Sequence, residues 1–427
     1  MSTDISSSAT RRRVPLYGWL TAELVSLCGT RLSMIAIPWL VLTTTDSASL
    51  TGLVGFAEMA PYVLARAGSG PLIDRIGGRR VGVLSDSASM LTVAVVPALH
   101  AIDALTLPVL LGLVVLLGVF RGPGDAAKHA LVPDVVDAAE VPMERATGLA
   151  SAAERLAATA GAALAGLLVA AVGPANALLV DAASFGVAAL LIGLSAPRTV
   201  NRGEGDDDAL GYVARLRSGW EFLRNDKVLI GITVMLAVTN LLDMAYTVVL
   251  VPVWARDGGF GAETVGLLFG VFSAASVGGA VIAAAIGHRL PRFLTYLVAF
   301  LMTGAPRFVV LAFDVPLWGV LAVAVSAGFA SGFLNPILGA VLFERIPRPL
   351  VGRVTALSTS LCWVGIPLGG VVGGLLVTAT GLAPGLLACG AAYFLATMLP
   401  AVRPAFREMD HTPEVPASRR EPVGVDR

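Results

Sequence analysis

Apolar residues run along this chain in blocks of roughly twenty to thirty, separated by short polar segments, over nearly its whole length. At 1.5 Å rise per residue, about twenty apolar residues in a helix cover the ~30 Å hydrocarbon core of a bilayer. The pattern therefore predicts twelve membrane-spanning helices. In the first half they cover residues 14–42, 48–67, 80–101, 106–131, 145–173 and 175–195. In the second half they cover 228–254, 262–287, 293–313, 315–342, 351–380 and 382–403. The expected class is an all-α membrane protein with two six-helix halves, 14–195 and 228–403, joined by a linker over 196–227 and flanked by tails at 1–13 and 404–427.

Charge fixes the expected orientation. With the N-terminus inside, 25 of the 30 basic residues fall in inward-facing tails and loops, and only Arg256 lies in an outward one. Arg31, Arg121, Arg155 and Arg307 sit inside apolar blocks. The predicted location is the cell membrane with both termini cytoplasmic. Composition agrees: 56% hydrophobic and 14% charged residues with a mean hydropathy of +0.80 exclude a soluble enzyme, and a net charge of zero gives no footprint for nucleic acid. Arg11, Arg12 and Arg13 precede an apolar run too long for a secretory leader, so that run reads as a retained first helix with Trp19 and Trp39 at the two membrane surfaces. Cys28, Cys362 and Cys389 all fall in apolar blocks and read as small buried hydrophobes.

The linker opens with a polar run containing Gly203, Glu204, Gly205 and Asp206 to Asp208. Beyond it Leu210, Val213, Leu216, Trp220 and Leu223 recur at helical spacing among arginines, which predicts a surface helix with its apolar face toward lipid. The tail after Arg403 is rich in Pro, Glu and Arg and is expected to be disordered.

The loop after the second helix reads Gly70-Pro71-Leu72-Ile73-Asp74-Arg75-Ile76-Gly77-Gly78-Arg79-Arg80. It resembles the loop signature of the major facilitator superfamily, and it occupies the loop where that family carries it. The stretches Leu24 to Gly29, Ile37 to Leu42, Ala130 to Asp134, Asp181 to Phe185 and Gly219 to Arg224 look like the macrolide-efflux-like group of drug:proton antiporters within it. The resemblance implies two parallel six-helix halves, alternating access, and export of an amphipathic small molecule driven by proton entry. It also implies a conformational lock: Gly70 letting helices approach, Asp74 meeting the inner end of the eleventh helix, Arg75 reaching Asp125, and Arg79 and Arg80 closing the loop. The second-half counterpart, Gly287 to Arg292, is degenerate. The fifth helix, Gly161 to Gly166, lacks the proline of the usual antiporter pattern. Gly365-Ile366-Pro367-Leu368-Gly369-Gly370 with Gly373 and Gly374 gives the eleventh helix a glycine face, best read as close helix packing.

Ionisable side chains in hydrocarbon cost at least ~2.5 to 3.5 kcal/mol each, so they normally face a cavity or a partner. Counting from Trp19 at 1.5 Å per residue, Glu23 lies about 6 Å and Arg31 about 18 Å into the membrane. Glu58 in the second helix and Glu154 and Arg155 in the fifth reach comparable depth. Arg31 and Arg155 are therefore the expected charge partners, with Arg31 pairing to Glu58 or Glu154, either as structure alone or around a carboxylate that exchanges protons. Glu23, Glu58 and Glu154 are the proton-coupling candidates. Asp181 and Asp243 fall nearer the outer helix ends, where packing is as good a reading as transport. Asn240, Asp243 and Asn335 are candidates for the substrate cavity, and Asn240 and Asn335 read equally as polar packing. Arg121 and Asp125 flank Gly122-Pro123-Gly124 near Lys128 and His129, which suggests gating.

Neither a phosphate-binding Gly-x-x-x-x-Gly-Lys loop nor a His-Glu-x-x-His or paired-cysteine pattern occurs, so ATP hydrolysis and metal chemistry have no motif here. No cofactor or metal is expected. The sequence points to a proton-coupled exporter working as a monomer among membrane lipids; the alternatives are a nutrient or lysolipid uniporter or symporter, and a non-transporting receptor on the same scaffold.

Overall fold

In the computed structural model, residues 3–197, 212–286, 289–347, 350–402 and 406 are described, and among them there is no strand. The chain folds as α1 Thr3–Thr45, α2 Ala48–Ala67, α3 Gly70–Ile76, α4 Gly78–Ala101, α5 Leu107–Ala130, α6 Val132–Ala139, α7 Met143–Leu156, α8 Ala162–Val172 and α9 Pro174–Ser195. It continues as α10 Tyr212–Asn225, α11 Lys227–Ala245, α12 Val251–Asp257, α13 Ala262–Ile286, α14 Arg292–Thr303, α15 Ala305–Leu311, α16 Leu317–Arg345, α17 Val351–Val364, α18 Ile366–Thr380 and α19 Leu382–Val402. Two single turns of π-helix, Ala157–Gly161 and Tyr246–Leu250, join α7 to α8 and α11 to α12 without breaking the rod. The fifth and seventh spans are thus composite helices, and the ninth and eleventh are divided at Gly304 and Gly365.

Among the described residues eleven helices are long and apolar enough to cross a membrane, and α19 adds a shorter apolar stretch, Leu382–Met398. The protein is multi-pass. In the first half α9 packs on α1 and α4, and α5 packs on α2 and α4; in the second, α16 packs on α13 and α14, α18 on α11, and α19 on α15. The halves meet chiefly along α2 with α18 and α8 with α13.

Lipid tails are as apolar as the side chains, so helices associate here through close backbone approach and polar contacts more than through hydrophobic burial. Glycines set those approaches. A Cβ on Gly52 would lie 2.0 Å from the carbonyl oxygen of Gly370, and one on Gly166 would lie 2.8 Å from Cα of Gly266. The glycine face of the eleventh span is a packing face on two sides: Gly369 and Gly373 lie on α11, whereas Gly370 and Gly374 lie on α2.

These contacts between halves gather at one end of the bundle, the short-loop face. There Ser49 and Thr378 share a 2.6 Å hydrogen bond, Arg256 pairs with Asp46, and Leu42, Ala48, Val248, Val249 and Val253 form one apolar cluster. At the opposite, basic-loop face the halves touch more sparingly, with the Arg66 guanidinium over the Trp363 ring at 5.3 Å.

Two expectations about membrane surfaces change. Trp19 is 2% exposed and donates to the Lys128 carbonyl at 3.0 Å, so it is a core residue of α1 against α5 and marks no lipid interface. The helix after the linker exists as α10, yet Leu223 is buried against Leu229, Ile346 and Val354, so α10 docks on the second half; Trp220 stays exposed. Leu210, the polar run at 203–208 and the tail beyond Phe406 lie outside the described residues. Phe406 itself is buried against Tyr296, with ring centroids 6.1 Å apart.

Candidate functional site

The strongest cluster of charge sits between α2, α4 and α5. Gly118 and Gly122, one helical turn apart, let α5 approach α2 so closely that their Cβ atoms would lie 2.3 Å and 2.6 Å from the carbonyl oxygens of Glu58 and Tyr62. Arg121, on the same stretch of α5, thereby meets Glu58: Nη1 to Oε1 is 2.9 Å, and each side chain is 7% exposed. The Tyr62 ring lies under the same guanidinium at 4.9 Å. Tyr62 donates its hydroxyl hydrogen to Asp125 at 3.0 Å and accepts from Arg66 at 2.7 Å. Asp125 also lies 3.7 Å from Arg121 Nε and 3.5 Å from Lys128 Nζ. Lys128, 1% exposed, donates to Ser26 Oγ at 2.7 Å and pairs with the equally buried Asp86 at 3.3 Å. Three carboxylates and three cations balance in one network, which is how an apolar bundle tolerates them.

A second pair lies in the other half, where Arg307 of α15 binds Asp243 of α11. The rings of Tyr246, Phe308 and Tyr393 surround that guanidinium at 4.9 to 5.1 Å from its carbon. Outside the spans, the bidentate hydrogen bonds from Arg292, 2.6 and 2.7 Å, hold the Glu344 carboxyl below the usual carboxylate range.

Three hollows form a row, two of them walled by both halves and one by the second half alone. The largest, about 610 Å³, is walled by Arg31, Met34, Ala158, Thr247, Phe269 and Ser273. The next, about 480 Å³, shares Thr247, Phe269 and Phe272 with it and reaches Arg307. The third, about 310 Å³, shares Met34 with the first and has Glu58 in its wall. Both π turns contribute to this row, through Ala158 and Thr247. An extra residue per turn interrupts the regular backbone ladder, and such turns recur where helices border ligand sites.

The structure rearranges several expected partners. Glu58 pairs with Arg121, not Arg31, because the glycines of α5 bring that helix onto α2. Arg31 has no carboxylate within ion-pair distance among the described residues; its guanidinium reaches only the Met34 sulfur, at 4.0 Å, and its buried Nε has no partner. Glu154 and Arg155 are exposed, so Arg155 is not turned into the core. Glu23 is partly buried and makes no ion pair within 4.0 Å among the described residues, although Lys128 is the charge that acts on it most strongly.

The lock residues also differ from expectation. A Cβ at Gly70 would meet nothing within 4 Å, so no helix approaches there. Asp74 and Arg75 are exposed on α3, and Arg75 does not reach Asp125, which Arg121, Lys128 and Tyr62 already occupy. Arg79 donates to the Gly193 carbonyl and so ties α4 to α9 inside one half, while Arg80 is exposed. Gly77 takes φ +88°, a conformation that favours glycine.

Asp243 lies mid-span beside the second π turn, deeper than expected. Asn240 donates to the Cys362 carbonyl at 3.0 Å, a packing role, and Asn335 is exposed. None of Asn240, Asp243 and Asn335 lines the three hollows. Asp181 is fully buried between α1 and α9, accepting from Ser33 and Ser184. Sequence reasoning missed Asp86 altogether and counted Lys128 as a loop charge; an acid in the third apolar block and a lysine one turn from Gly124 were the available signals.

The family model described as Major Facilitator Superfamily matches residues 19–291 and 232–425. The chain belongs to that superfamily. Among relatives, the "Multidrug efflux pump Tap" of Mycobacterium tuberculosis (strain ATCC 25618 / H37Rv) is 31% identical over 418 residues, covering 96% of this chain and 98% of that protein. The pump of the same name in Mycolicibacterium fortuitum is 30% identical over 407 residues, covering 93% and 98%. Solved structures of superfamily proteins share the fold at low identity. The nucleoside transporter NupG superposes with a TM-score of 0.71 at 13% identity over 92% of this chain and 98% of its own. A bacterial homologue of the iron transporter ferroportin in inward-facing state gives 0.66 at 16% identity over 93% and 98%. The major facilitator architecture accounts for the two halves, the hollows shared between them, and the clamp at one face.

Proposed function

We propose that this chain is a secondary active exporter of the cell membrane that moves an amphipathic small molecule outward in exchange for protons, by alternating access between two six-helix halves. Both termini and the linker are cytoplasmic, as the 25-to-1 distribution of loop charge favours. The near-full-length relatedness to multidrug efflux pumps supports the exporter reading. With that orientation the clamp at the short-loop face lies outside, and the molecule stands open to the cytoplasm, ready to take up substrate.

The observation that carries proton coupling is the Glu58–Arg121 pair at 2.9 Å, buried between two helices while Glu58 also walls a hollow between the halves. A proton arriving on Glu58 cancels its charge and releases Arg121, whose Nε already lies 3.7 Å from Asp125. Arg121 then turns toward Asp125, and the network loses one of its ties between α2 and α5. Return of the ionised Glu58 to Arg121 discharges the proton on the other side. Glu23 acts as a relay toward the basic-loop face, with Glu154 the second candidate carrier, and Asp74, exposed in this state, engages the inner end of the eleventh span when the halves rock outward-open. The exporter works as a monomer among lipids.

The test is Glu58→Gln, which keeps shape and removes the exchangeable proton. In proteoliposomes with an imposed pH gradient it should lose uphill export of a fluorescent amphipathic dye, at least about tenfold in initial rate. It should still bind the dye and exchange it down a gradient. Full uphill export by this variant would place the proton carrier elsewhere.

A further inference from the structure

The transported molecule's charge can be read from the one cation of the central row that the protein leaves unneutralised. Arg121 has Glu58, Lys128 has Asp86 and Asp125, and Arg307 has Asp243. Arg31 has no such partner within 4.0 Å among the described residues, although it lines the largest hollow. Glu154 attracts it and Arg121 repels it at longer range, and Glu154 is itself exposed. A guanidinium carries five donors in a planar fork suited to a carboxylate or another oxyanion, and a thioether 4.0 Å away satisfies almost none of that capacity.

We propose that Arg31 seats the anionic group of an amphipathic organic anion, whose apolar body lies against Phe269 and Phe272 of the eighth span. This deepens the exporter reading and rests on it. The chemistry of the wall fits such a ligand: it combines one unneutralised cation from α1, aromatic rings from α13, and the hydroxyls of Thr247 and Ser273. Arg31 belongs to the first half and the rings to the second, so a ligand that touches both draws the halves together around itself. Binding and rocking are then one event. An anion on Arg31 also compensates that guanidinium's charge, which lowers the cost of burying it when the halves close.

The test uses matched fluorescent probes, dansylglycine with its carboxylate and dansylglycinamide without it, titrated onto the full chain in lipid nanodiscs. The wild type should bind dansylglycine at least about tenfold more tightly. Arg31→Gln should erase the preference and Arg31→Lys retain part of it. Ser273→Asp, which puts a carboxylate into the hollow while leaving Arg31 in place, should erase it as well. Equal affinities in the wild type, or a preference that survives both Arg31→Gln and Ser273→Asp, would overturn the anion seat. Dye export driven by a pH gradient in the wild type separates the two readings. Absence of any uphill export sinks the exporter reading, whereas intact export with no carboxylate preference sinks the seat alone.

Discussion

Arg121 meets Glu58 because two glycines remove the side chains that would hold α5 away from α2; Arg121 has Asp125 as a second, longer contact at 3.7 Å, whereas Arg121 is the one cation paired with Glu58 among the described residues. Breaking one side of a buried pair strands the other, at a cost of about 3 to 5 kcal/mol. Arg121→Gln should therefore destabilise the protein by that order in reversible denaturation in mixed micelles, and adding Glu58→Gln should recover a large part of the loss. A double variant no more stable than Arg121→Gln alone would mean that the two side chains are energetically independent. That the deep charges existed was legible from their placement in apolar blocks, and so was their approximate depth. Their partners were not, because position along a helix gives height but not which neighbour the side chain faces. Arg31 and Glu58 share a level, yet the backbone approach at Gly118 decides the pairing.

The spans are the most legible elements, since their length follows from bilayer thickness and their ends from charge. The composite helices are less so. Nothing in a run of apolar residues announces a π turn, and the amphipathic period of α10 cannot say whether its apolar face meets lipid or protein. The clamp between α2 and α18 was visible only as glycine spacing, without the partner helix. A valine at Gly52 would drive its Cβ into the Gly370 carbonyl, 2.0 Å away, and nothing but separation of the two helices relieves a clash with backbone. Gly52→Val should raise the fraction of molecules with parted short-loop ends at least about tenfold, equivalent to about 1.4 kcal/mol. Electron-electron distances between spin labels at Asp46 and Arg256 would report it; an unchanged distribution would remove the clamp from the conformational account.

For the whole molecule, orientation is the property on which the direction of transport depends. Single cysteines at Ser47 and Ala104, with Cys28, Cys362 and Cys389 replaced, should react in intact cells with a thiol reagent that cannot cross the membrane. One at Gly205 should not, and labelling at Gly205 alone would invert the assignment and turn the exporter into an importer. The overall arrangement of two halves was readable from twelve apolar blocks and the linker, whereas the state in which they rest was not, because residues far apart in sequence settle it. The two π turns bear on that balance in another way. Each is a surplus residue in an otherwise regular rod, a frameshift in helical phase that the rest of the span inherits. Rewinding Tyr246–Leu250 as regular α-helix at its full length would swing Val251–Asp257 by roughly 100° about its axis. Arg256 would then face away from Asp46, and the latch between the halves would come undone without alteration of either residue that forms it.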